Sequence, residues 1–134
     1  MTEPKTPAQL ADDAAEAIRA LNHATMSTRP GWEFPADAYS VVGNLRELAQ
    51  RLPQLLQQTE VFLQGLADGD HIRSDRGGNG AAEVNAALDG LDRAREDAVT
   101  MEAALDTVHS ALSPLAYQDG GADPLEGYDI PELP

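Results

Sequence analysis

The chain has 134 residues, no cysteine and a formal net charge of −14, with 11 acids against 7 bases in residues 1–79 and 12 against 2 in residues 80–134. A chain of this length can bury a core without disulfides or metal, and the missing cysteines exclude a disulfide scaffold and thiolate metal sites. Phosphate backbones attract Lys/Arg-rich surfaces, so this acidity disfavours direct binding to nucleic acid or an anionic membrane and leaves a basic partner or simple solubility.

The N-terminal MTEPKTPAQ has no apolar run behind a basic head. Nowhere do about eighteen apolar residues run together, so the expected location is the cytoplasm, with neither export nor a membrane span. Thr6-Pro7-Ala8-Gln9 reads as a capping box with proline at the first helical position. Leu10, Ala14, Ala17, Ile18, Leu21 and Ala24 come after it on one face, which predicts a helix over about residues 7–26. Residues 27–34 (STRPGWEF) break that pattern at Pro30-Gly31, and the chain reverses.

The longest regular stretch starts at Pro35. Ala38, Val41, Leu45, Leu48, Leu52, Leu55, Thr59, Phe62 and Leu66 keep a 3-4-3-4 alternation of the coiled-coil kind, which predicts one helix over 35–67, bent at Pro53. Val42, Ala49, Leu56 and Leu63 run beside that line at steps of seven, making the apolar face wide enough for more than one neighbour. Residues 68–80 (DGDHIRSDRGGNG) have four glycines and read as a surface loop, with Asn79 placed to cap the next helix. That third helix is predicted over 80–112 from Val84, Ala87, Leu91, Ala94, Ala98, Met101, Leu105, Val108 and Leu112. Its flanking line, Leu88, Arg95, Glu102 and His109, is polar after the first member, so its buried stripe is expected to be narrow. The two long helices match in span and should form an antiparallel hairpin, with Leu66 near Val84 and Ala38 near Leu112. From Ser113 on, five acids and no base among prolines and glycines predict a disordered acidic tail, 113–134, part of which docks through Leu115, Tyr117, Leu125, Tyr128, Ile130 or Leu133.

The expected fold is therefore an all-α, three-helix antiparallel bundle over residues 1–112. Its first helix is about 20 residues long, near 30 Å, against about 33 residues and 50 Å for the second. Running back along the central helix, the first would stop opposite Leu55 and leave Leu56, Leu63 and Leu66 uncovered. Such a strip is expected to close a homodimer about a two-fold axis. Trp32 and Phe34 read as a plug stapling the first two helices, with exposed binding anchors as the alternative and Tyr39 at the boundary of either.

No arrangement with the spacing of a catalytic or cofactor site stands out. Asp89, Asp92 and Glu96 share a helical face, as in all-α metal-dependent hydrolases, but the central helix offers only Glu47 and Glu60 to complete a site. With Asp97, Glu102 and Asp106 they read first as a solvated acidic face. His23, His71 and His109 have no ligand spacing, and Gly77-Gly78-Asn79-Gly80 lacks the Lys-Ser/Thr of a phosphate-binding loop.

Within Ala17–Leu66, the run Pro30-Gly31-Trp32-Glu33-Phe34-Pro35, then Asp37, Tyr39, Gly43-Asn44-Leu45 and Arg51-Leu52-Pro53-Gln54, resembles small helical actinobacterial proteins associated with mobile genetic elements. That resemblance covers under half of the chain and implies no particular activity. The chain is more remotely similar to secreted helical hairpins of the WXG class, since Tyr128 and Glu132 are spaced as in their export signal. Their Trp-x-Gly turn is missing: Trp32 is followed by Glu33-Phe34 and the 68–80 loop has no tryptophan.

The expected function is a non-enzymatic protein-interaction module, an adaptor or accessory subunit that self-associates through the central helix and needs no cofactor or metal. The alternatives are an acidic antagonist of a basic nucleic-acid-binding protein and, third, a metal-dependent hydrolase. Binding that survives 0.5 M salt would favour apolar contact over charge.

Overall fold

The computed structural model describes residues 3–127. Tyr128, Ile130, Glu132 and Leu133 of the expected tail lie outside the described residues. Three helices, α1 (Pro7–Ala24), α2 (Pro35–Asp68) and α3 (Ala81–Leu112), make an all-α fold with α2 and α3 packed together, and no strand forms among the described residues. None of these helices is long and apolar enough to cross a membrane. The chain divides into two compact units: Tyr39–Leu115 is one, while the other takes the residues up to Ala38 and those from Ala116 on.

In the second of these units α1 starts as expected. Thr6 Oγ1 accepts from Gln9 N at 3.2 Å and Gln9 Oε1 from Thr6 N at 2.9 Å, so the capping box satisfies two otherwise unpaired donors. The apolar face of α1 is not covered as the pattern suggested. Every described residue up to Ala20 is exposed, Leu10 at 55% and Ile18 at 37%. Alanine supplies half of that face, so docking it would remove little apolar area from water.

The chain then turns at Arg29–Trp32. Gly31 has a φ of 89°, a conformation glycine adopts without penalty, and Trp32 N donates to Arg29 O at 2.8 Å. Asp37 Oδ2 accepts from Glu33 N and Phe34 N, each at 3.0 Å, and caps the start of α2. Residues 116–127 contain turns only, and they dock on this corner. Thr28 Oγ1 donates to Asp123 Oδ1 at 2.8 Å, and the Tyr117 ring meets Phe34 edge-on with centroids 5.0 Å apart.

The Tyr39–Leu115 unit is the helical hairpin. α2 runs unbroken through Pro53. The connection is folded on itself by Ser74 N donating to Gly78 O and Gly77 N to Ser74 O, with Ile72 against Gly80. Asn79 acts at the start of α3 by accepting from Ala81 N at 3.1 Å, while Gly80 takes the helix boundary in a left-handed conformation.

The seam between α2 and α3 is wider than the predicted line and shifted from it. Val41, Val42, Leu45, Leu48, Ala49, Leu52, Leu56, Thr59, Leu63 and Leu66 are covered on α2, and Val84, Leu88, Leu91, Ala94, Arg95, Ala98, Glu102, Leu105, His109 and Leu112 on α3. Val41, Leu45, Leu48, Leu52, Thr59 and Leu66 on α2, and Val84, Leu91, Ala94, Ala98, Leu105 and Leu112 on α3, are the ones the spacing singled out, while Leu55, Phe62, Ala87, Met101 and Val108 of the same pattern are exposed. Their seam companions are the flanking lines, so the narrow stripe expected on α3 is corrected: Arg95, Glu102 and His109 lie half-buried against α2.

The reason is specific polar pairing. Tyr39 stacks on His109 with centroids 4.0 Å apart, Arg46 Nη1 reaches Asp106 Oδ1 at 2.7 Å, and Arg95 Nη1 reaches Glu60 Oε2 at 3.6 Å. These pairs reproduce the antiparallel arrangement expected, with Tyr39 toward His109. The solvent-exposed Arg46–Asp106 pair is worth about 0–1 kcal/mol, so it selects the register more than it stabilises it.

Gly43 lets the helices approach at this end, because a Cβ there would stand 3.1 Å from His109 Nε2. A helical glycine costs ~0.5–1 kcal/mol relative to alanine. Gly43→Ala is therefore expected to raise the melting temperature when His109 is also alanine, and to gain less or lose stability when His109 is present. Thermal melts of the four members of that cycle check it.

Candidate interaction surfaces

The hairpin has two unlike flanks. On α2 the line Leu48, Leu55 and Phe62, at steps of seven, lies to one side of the seam centred on Val42, Ala49 and Leu56, with Leu48 half-buried at its edge. On α3 the line Ala87, Ala94, Met101 and Val108 lies to the same hand of the seam centred on Leu91, Ala98 and Leu105, with Ala94 half-buried. Because the helices are antiparallel, residues set to the same hand of each seam turn to the same side of the pair. One flank thus gathers Leu48, Leu55 and Phe62 from α2 with Ala87, Ala94, Met101 and Val108 from α3. Leu55 is 55% exposed, Phe62 65%, Met101 42% and Val108 42%. The opposite flank carries Tyr39, Arg46, Glu60, Asp92 and Asp106, the polar contacts between the helices.

This places the expected interaction residues in two groups. Leu56, Leu63 and Leu66 are half-buried in the seam, and the open strip lies one position earlier, at Leu55 and Phe62. Meanwhile, among the described residues only Ala49, Gly80 and Ala98 are buried, and no side chain larger than alanine is fully enclosed. The seam leucines are half-buried, and the seam encloses only Ala49 and Ala98, while Leu55, Phe62, Met101 and Val108 stay open.

The acidic face is not one continuous surface. Asp92 is held by Arg95 at 2.8 Å and Asp106 by Arg46, while Glu102 is half-buried, which leaves Asp89, Glu96 and Asp97 open. Among the described residues no three carboxylates or histidines stand together as metal ligands would.

Glu60 is unusual among these carboxylates. A hydrogen bond shared with Asp92 and partial burial raise its pKa above the ordinary 4.5, against the pull of the Arg95 guanidinium. Folded chains then hold a proton that unfolded chains have lost. Stability from this group is present below about 4.5 and is lost as pH rises through the folded value. Asp37 has the opposite sign: the Glu33 and Phe34 N–H groups lower its pKa below 3.8, so its contribution is present above that value and disappears as pH falls through the lowered one. In melts over this range, Glu60→Gln is expected to remove the loss of stability on raising pH and to leave the acid-side loss in place.

The second surface lies at the Trp32 corner. A cleft of about 550 Å³ is bounded by residues 28–38 on one side and 117–125 on the other. Trp32 is half-buried there, and Phe34 and Tyr117 are 45% and 55% exposed. Tyr39, grouped with Trp32 and Phe34 by sequence, instead stacks on His109 in the hairpin. The contribution of Tyr117 was not legible locally, because it reaches Phe34 from the far end of the chain.

Compared with protein-family models, with curated proteins and with solved structures, the chain matches none.

Proposed function

We propose that this protein is a non-enzymatic interaction module, an adaptor or accessory subunit, that pairs with a second copy of itself through the Leu55/Phe62 flank of the α2–α3 hairpin. The observation that carries the proposal is a row of large apolar side chains, Leu55, Phe62, Met101 and Val108, open on one flank, against the isolated valines Val61 and Val99 elsewhere. A contiguous apolar flank of that kind marks an interface.

A second copy fits for two reasons. α2 presents large knobs, Leu48, Leu55 and Phe62, whereas α3 presents Ala87, Ala94, Met101 and Val108, with Glu83, Gly90, Asp97 and Ala104 at its margin. A two-fold axis sets the bulky helix of one copy on the smaller-featured helix of the other, twice over, and closes two hairpins into a four-helix arrangement. The line Ala87, Ala94, Met101 and Val108 carries no charge, and the acids bordering it are Glu83 and Asp97, so most of the net charge of −14 lies away from the contact. Light scattering coupled to size exclusion tests the proposal: twice 14.3 kDa is expected, and 14.3 kDa at every concentration refutes it.

A further inference from the structure

The cleft at the Trp32 corner combines two features that together specify a ligand. Trp32, Phe34 and Tyr117 line it, half of the six aromatic residues in the chain. Glu33 and Asp123 line it too, and among the described residues no lysine, arginine or histidine does. Asp123 is held ionised: the Leu125 N–H and the Thr28 hydroxyl donate to Oδ1 and lower its pKa. Residues 116–127 add Asp119 and Glu126 without a base.

Aromatic faces attract cations, most strongly where water is displaced, and carboxylates at the rim supply charge and hydrogen-bond acceptors. We infer that this cleft takes the guanidinium of an arginine displayed by a partner protein. Of the two basic side chains, the guanidinium is planar, less strongly hydrated and able to stack on a ring while giving two parallel N–H groups to a carboxylate. Lysine satisfies the charge but not the stacking. The inference deepens the interaction reading by stating what one of its surfaces accepts. The two fail separately, since pairing of hairpins is read from mass and arginine capture from the cleft.

Trp32 is the only tryptophan, so its emission reports on the cleft alone. The full chain is titrated with N-acetyl-arginine amide and, in parallel, with N-acetyl-citrulline amide, which has the same shape without the charge. A saturable change in Trp32 emission is expected with the arginine compound and none with citrulline. Glu33→Gln and Asp123→Asn each keep an acceptor oxygen while removing a charge, and each should weaken the arginine response roughly three- to tenfold. Equal responses to the two compounds, no saturable change in the wild type, or an unaltered affinity in the Glu33→Gln/Asp123→Asn double variant would overturn the assignment. Glu33→Gln, which removes no hydrogen bond seen among the described residues, keeps the test decisive if Asp123→Asn loosens the 116–127 segment.

Discussion

Ala49→Leu is expected to destabilise the hairpin by about 2–3 kcal/mol, whereas Ala87→Leu, two turns or more from any enclosed alanine, is expected to change it by less than about 0.5 kcal/mol. Ala49 is 0% exposed, enclosed in the seam, so added methylenes must push α2 and α3 apart or take strained rotamers. Ala87 stands open on the apolar flank. The contrast is informative because the 3-4 alternation of α3 taken at face value puts Ala87 inside. If Ala87→Leu were the costly change and Ala49→Leu the tolerated one, the seam would run along the line expected from spacing and the open flank would not exist.

The second large effect concerns pairing of chains. Leu55→Glu with Phe62→Glu is expected to leave the helical content intact and to weaken self-association by at least roughly 100-fold. Covering a Leu or Phe side chain is worth about 1.5–3 kcal/mol, a two-fold contact counts each change twice, and 1.4 kcal/mol is about a factor of ten. Leu56→Glu with Leu63→Glu should behave differently, because those residues sit half-buried against α3. A carboxylate placed there loses hydration without a partner, so that variant is expected to lower the melting temperature of the hairpin itself. Concentration-dependent melts separate the two: the wild type should melt higher as its concentration rises, and the Leu55/Phe62 variant should not.

Much of the architecture was written in short-range signals. Thr6 and Gln9 announced α1, Pro35 opened α2, and Asn79 stood just ahead of α3. The antiparallel hairpin came from two apolar patterns of matched span. Which side of each helix faces its neighbour could not be read that way, and α2 shows why. Its apolar residues come in adjacent pairs, Val41/Val42, Leu48/Ala49, Leu55/Leu56 and Phe62/Leu63, so periodicity serves either side equally well. The choice falls to contacts between distant residues: Arg46 with Asp106, Arg95 with Glu60, and the Tyr39 ring with His109. A partial signal existed, since Arg95 on α3 comes opposite Glu60 on α2 once the helices are set antiparallel. The Trp32 corner was half legible. Its aromatics stood out by rarity, but Tyr117 and Asp123 complete it through contacts such as the Thr28–Asp123 bond, which spans 95 positions of sequence.

The absence of cysteine allows one probe to be placed at will. A polarity-sensitive fluorophore on Met101→Cys would sit on the apolar flank, and the same dye on Val99→Cys would sit on the ion-paired one; Met101 is 42% exposed and Val99 56%. As the protein is concentrated, emission from position 101 is expected to move to shorter wavelength, with no shift at position 99. Emission that stays constant at 101, or shifts equally at both positions, would contradict a second copy seated on the Leu55/Phe62 flank.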